Sequence, residues 1–227
     1  IAAAGLVGVA CALAADLAFA HGVPSGDKAF IEQSIGLQLG PFVYLGAKHM
    51  VTGYDHLLFL LGVIFFLYRM KDVAIYVTLF AVGHSVTLLT GVLAGTAVDA
   101  YLIDAVIGLS GTYKALDNLG LLRRWLGVQP DTRAAVLAFG LVHGFGLATK
   151  LQEFSLSPEG LVANIVAFNV GVEIGQFLAL AAILIAIGYW RHTTSFARHA
   201  RAANLVLAGT GLALCAWQLA GYFGLVE

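Results

Sequence analysis

Residues 49–56 read His-Met-Val-Thr-Gly-Tyr-Asp-His, inside an apolar stretch long enough to cross a bilayer. His49, Asp55 and His56 therefore sit where charge is expensive, and such groups mostly face a bundle interior or a water-filled path. Imidazole with carboxylate is also a ligand set that first-row transition metals favour. Other polar groups lie well inside later apolar stretches: His84 with Ser85 and Thr87; Asp104, Ser110, Lys114 and Asp117; His143; Asn169, Glu173 and Gln176. Capture and passage of a metal cation is the chemistry these types support.

Depth along a helix, at about 1.5 Å per residue, puts His56, His84 and His143 in one layer near the bilayer midplane. Asp55, Asp104 and Glu173 fall just outside that layer, and His49 near the outer surface. We therefore expect His49, Asp55, His56, His84, His143 and Glu173 as metal ligands. Asp104, Ser85, Asn169, Lys114, Asp117 and His21 are expected along the path or supporting the ligands. Plainer readings compete. A single buried histidine is more often hydrogen-bonded core than a ligand. Lys114 and Asp117 stand three apart and can pair with each other. Glu173 can bridge to a neighbouring helix, and the glycines beside these residues can be packing contacts. His49 and His56 lie two turns apart, about 10 Å on a straight helix, too far for one ion. Either Gly53 breaks the helix, or His49 is an entrance station and Asp55 with His56 a deeper one. The second arrangement is the expectation.

The elements that must position these groups follow from composition. Of 227 residues, 60% are hydrophobic and only 11% charged, and mean hydropathy is +0.89. So few charges suit a multi-pass membrane protein, not a soluble domain. A net charge of −1 gives no reason to expect nucleic acid. Cys11 and Cys215 lie in separate apolar stretches without CxxC spacing, so they read as buried or lipid-facing thiols. Residues 1–20 are apolar and end Ala18-Phe19-Ala20 before His21, the A-x-A form of a signal-peptide site. They read as a retained signal-like helix; cleavage would make His21 the N-terminus. Residues 21–227 form one transmembrane domain.

Six further segments are predicted as spans, at about 41–69, 72–95, 98–119, 134–152, 160–190 and 202–225. The expected architecture is an all-α polytopic membrane helix bundle, and no internal repeat is evident. Arg69 and Lys71 follow the first of these spans. Arg123, Arg124 and Arg133 follow the third, and Arg191, Arg198 and Arg201 the fifth. The positive-inside rule puts these loops in the cytoplasm, and residues 21–40 and the C-terminus on the periplasmic side of a bacterial inner membrane. His192 and His199 fall in the last basic segment and read as solvated loop residues.

With these motifs in hand, the chain resembles the HupE/UreJ family of small bacterial metal permeases. The resemblance rests first on His49-x5-Asp55-His56. It extends to the signal-like start, the Ala20-His21-Gly22 junction and the six-span layout. Gly83-His84-Ser85-Val86-Thr87-Leu88, Leu141-Val142-His143-Gly144 and Asn169-Val170-Gly171-Val172-Glu173 look like blocks of a divergent branch. It implies nickel uptake, with cobalt as the next cargo, and partners such as cytoplasmic metallochaperones or nickel-enzyme maturation proteins. Zinc or copper also suits the ligand types. One position departs: Leu147 stands where a His-Gly-x-x-His-Gly motif has its second histidine. That leaves selectivity for nickel open.

A permease is the first expectation, with no nucleotide-binding motif to suggest ATP hydrolysis. Its ligands must be deprotonated, so uptake should weaken on acidification. Two rivals remain. One is an accessory or sensor subunit that holds a metal. The other is an intramembrane zinc hydrolase with three histidines, a carboxylate and one open coordination position.

Overall fold

A computed structural model describes residues 30–67, 69–96, 98–128, 130–152 and 158–226. The signal-like segment 1–20 and His21 lie outside the described residues, as do the side chains of Tyr54, Asp55, Met70 and Lys150. The described chain is helical throughout: α1 Leu39–Thr52, α2 Tyr54–Ile64, α3 Met70–Ala94, α4 Ala100–Asn118, α5 Leu121–Leu126, α6 Thr132–Gln152, α7 Leu161–Arg191 and α8 Thr194–Tyr222.

Local chemistry sets the ends. Asp99 caps α4, its carboxylate accepting from the Tyr101 and Leu102 amides at 2.9 and 3.3 Å. Asp131 does the same for α6 through the Arg133 and Ala134 amides. Gly95 closes α3 at φ 63°, where a side chain would be strained. Helix α8 begins well before residue 202, which corrects the expected bounds. Its first turns carry Arg198, His199 and Arg201, so hydropathy does not reveal them as helix. His199 therefore sits on a helix, its Nδ1 donating to the Ser195 carbonyl at 2.9 Å.

Four helical stretches are long and apolar enough to cross a membrane: Lys71–Ala94, Thr132–Thr149, Leu161–Arg191 and Thr194–Tyr222. The segment expected at 41–69 is two helices joined at Gly53, each short. Helix α4 has 19 residues and carries Asp104, Lys114 and Asp117.

The bundle is built from three tight pairs: α1 with α7, α3 with α6, and α4 with α8. In the first two pairs the partners run parallel. Gly36 meets Asn164, Gly171 meets Val43, Gly175 meets Ala47, and Arg191 meets Leu67. Along α3 and α6, Gly140 meets Phe80, Gly144 meets His84 and Gly91 meets Ala148. Glycine makes these approaches possible: a Cβ on Gly171 would overlap the Val43 carbonyl oxygen. Small residues that admit a neighbouring backbone are how apolar helices bind where no hydrophobic force separates protein from lipid.

Candidate metal centre

The broken helix sets the site. At Gly53 the backbone turns to φ −75°, ψ 101°. The Gly53 amide still closes α1 on the His49 carbonyl at 2.9 Å, and its own carbonyl opens α2 by accepting from Leu57 at 3.1 Å. His49 ends one helix and His56 begins the next. Their ring centroids are 5.0 Å apart, at an interplanar angle of 79°. The two-station expectation is thereby corrected: the break folds both imidazoles into one cluster.

His143 enters from α6. Its ring lies 4.9 Å from that of His56 and 4.9 Å from that of Phe80. Its Nδ1 is 2.8 Å from the Phe139 carbonyl. A carbonyl only accepts, so Nδ1 carries the proton of that bond. Such a backbone bond fixes the tautomer of metal-ligating histidines elsewhere. His84 comes from α3 and is wholly buried. It lies within electrostatic range of His56, His49 and His143, with the Asn169 side chain beside it. Neither of its ring nitrogens makes a hydrogen bond of good geometry among the described residues.

Other buried amides share this condition. The Asn169 Oδ1 and both polar atoms of the fully buried Gln176 make no hydrogen bond among the described residues. Buried polar atoms are normally satisfied, so a group of exceptions on one face marks that face as suited to a polar guest. Gln176 stands two turns beyond Asn169, on the same face of α7. Its polarity alone does not mark it as part of the site; the i, i+7 spacing from Asn169 is the signal in the sequence that does.

Glu173 is the clear correction. The structure places it on the outer face of α7, exposed together with Val170, Ile174 and Phe177. It is aimed away from the interior that Val172 and Gln176 occupy. Position in the sequence gives its depth but not its direction around the helix. Asp104 and Ser85 are half-buried on α4 and α3. Asp55 lies on the first turn of α2, and its side chain is outside the description. Among the described residues, no three His, Cys, Asp or Glu groups are placed to hold one ion. The His49–His56 and His56–His143 ring pairs meet edge to face.

Lys114 and Asp117 form a second polar group. Their ion pair spans 2.5 Å, Thr132 lies 3.4 Å from the same carboxylate oxygen, and the lysine methylenes lie against Gly62. The internal-pair reading is the one observed. Beside it, Asn118 donates to the Gly62 carbonyl at 2.8 Å and to Asn204 at 3.0 Å, so this group ties α2, α4 and α8. Isolated asparagines carry no spacing signal, so the sequence does not reveal the Asn118–Asn204 contact. At the end of α2, Arg191 of α7 donates to the carbonyls of Ile64, Phe65 and Leu67. It satisfies acceptors that a helix end leaves open.

Neither the curated proteins nor the solved structures give a match. The family model described as HupE / UreJ protein does, over residues 25–224. That match covers all eight described helices, the histidine cluster and both polar groups, and the chain belongs to the HupE/UreJ family of metal-transport proteins.

Proposed function

We propose that the protein is a permease for a first-row transition-metal cation, nickel foremost and cobalt next, working in the bacterial inner membrane. Six segments cross: α1 with α2 as one broken span, then α3, α4, α6, α7 and α8. The arginine-bearing ends of α2, α7 and α8 face the cytoplasm, by the positive-inside rule. One observation carries the reading: imidazoles from three separate segments, His49 and His56, His84 and His143, gather at a helix break inside an apolar bundle. Broken helices are where transporters place their ion sites.

The cation is taken up by the cluster of His49, His56, His84 and His143, and the Asn169 and Gln176 amides lie on the adjoining face of α7. Asp55, adjacent in sequence to His56, supplies the carboxylate. Rings stacked edge to face must turn to bind. That suits a transient ligand set better than a permanent one, since an ion held too firmly cannot leave. It favours the permease over the metal-holding subunit and the hydrolase.

The test is nickel entry into liposomes that carry the purified full chain and an internal metal indicator. His56→Ala and His143→Ala should each abolish entry, whereas Glu173→Gln should leave most of it. Stoichiometric nickel bound without any flux would overturn the reading.

A further inference from the structure

The three pairs obey a symmetry that the sequence hides. Gly46-x-x-His49 on α1 matches Gly140-x-x-His143 on α6. Phe80-x-Val82-Gly83 on α3 matches Phe168-x-Val170-Gly171 on α7. The contacts match in turn. A Cβ on Gly46 would overlap the Phe168 carbonyl, and one on Gly140 would sit 2.5 Å from the Phe80 carbonyl. Gly171 lies against the Val43 carbonyl and Gly83 against the Leu137 carbonyl; Val43 and Leu137 each precede their motif glycine by three. One turn on, Gly175 abuts the Ala47 carbonyl, and in the matching place Thr87 donates to the Leu141 carbonyl at 2.7 Å. His49 leans on Phe168 at 6.0 Å, as His143 leans on Phe80 at 4.9 Å.

The third pair matches itself. Gly108 lies against the Cys215 amide and the Gly211 carbonyl, and Gly211 against the Thr112 amide and the Gly108 carbonyl. Exchanging 108 with 211 and 112 with 215 reproduces these contacts, so a two-fold axis passes between α4 and α8. Helix α1 runs with α7, and α6 runs with α3. Short connections reverse the chain from α2 to α3, and α1 and α6 therefore point in opposite senses. The expectation of no repeat is corrected: residues 39–118 and 132–222 are inverted copies.

We propose that the pair α1–α2/α7 and the pair α3/α6 rock against each other as rigid bodies about the histidine layer, with α4/α8 on the axis, and that Phe80 and Phe168 are equivalent gate residues on opposite sides of that layer. This rests on the permease reading. Each pair is held by backbone-to-backbone approach that leaves no slack. Rings bridge the two pairs: His56 meets His143, and Phe59 meets Phe80 and Phe139 at 5.4 and 5.7 Å. Rings can repack where interlocked backbones cannot. His49 and His56 belong to one pair, His84 and His143 to the other, so an ion bound by all four spans the moving seam. Inverted repeats generate their two access states by such rocking around a fixed midplane site. In the state described, Phe59 is wedged against Phe80 and Phe139 on the arginine side of the histidines, and that gate is shut.

The test uses the full chain in nickel-indicator liposomes, with Cys11→Ala and Cys215→Ala as background. Bridging Phe59→Cys to Phe139→Cys with a short bifunctional thiol reagent joins the two pairs. It should cut flux by roughly ten-fold or more, with recovery on reduction. Bridging Gln38→Cys to Asn164→Cys joins residues within one pair and should leave flux within roughly two-fold. Flux that survives the first bridge, or falls equally with the second, overturns the rocking; the permease reading then stands. Wild-type protein without flux sinks the permease reading instead. For that case, or where a cysteine pair impairs folding, nitroxides are placed at exposed sites: Tyr44 and Leu93 across one end, Ile75 and Ile185 across the other. Two distance populations at each end are expected. A single distance at both ends overturns the inference.

Discussion

The pairs α1/α7 and α3/α6 pose the same packing problem and solve it with different chemistry. Both let one backbone rest on the other through glycine. At the next turn the first pair uses Gly175 and only van der Waals contact, whereas the second uses Thr87 and a hydrogen bond. The first pair is broken at Gly53 and tied at its end by Arg191; the second runs unbroken through Leu147. Shape has been kept between the copies while polar groups have been reassigned, so the backbone approach is the constraint and the hydroxyl or guanidinium is the variable part.

Five substitutions probe that difference, in descending order of effect. Gly171→Leu forces a side chain into the Val43 carbonyl and should cost at least about 3 kcal/mol, beyond the usual overpacking range; Gly83→Leu should match it. Thermal unfolding in detergent measures both, and a mild effect at either site would mean the approach is not limiting. Arg191→Ala strips donors from the end of α2 and should cost about 2 kcal/mol. Loss without any change in unfolding temperature would show that the tie is ornamental. Thr87→Val keeps the shape and removes the bond to Leu141, for about 1 kcal/mol. Finally, Gly111→Ala should go the other way. A Cβ there meets nothing within 4 Å, so better helix propensity should raise stability by up to about 1 kcal/mol. A destabilised Gly111→Ala would reveal a need for that open space.

Much of this was legible in the sequence. Apolar runs gave the helices, because apolar length is what a bilayer demands. The spacing of His49 and His56 already made a break at Gly53 one of two options, since only a break brings their rings together. Direction around a helix was not legible. Glu173 and Gln176 are nearly one turn apart on α7, yet one faces outward and the other is sealed inside. Contact of Gly171 and Gly175 with α1 decides that rotation, and no local pattern records it. The duplication stayed hidden because the matching blocks are only a few letters long. The shift between copies also changes from helix to helix, as the connecting loops differ in length.

Gly53 has a last consequence. Its counterpart in the second copy is Leu147, buried and in mid-helix. A device made of two inverted copies, only one of them jointed, cannot have mirror-image end states of equal energy. If the pairs rock as proposed, the empty protein favours one side, and an ion does unequal work to move it each way. We therefore predict that nickel crosses a liposome carrying uniformly oriented protein at different rates in the two directions under equal and opposite gradients. Equal rates would mean that the joint serves only to assemble the histidines and gives the cycle no preferred sense.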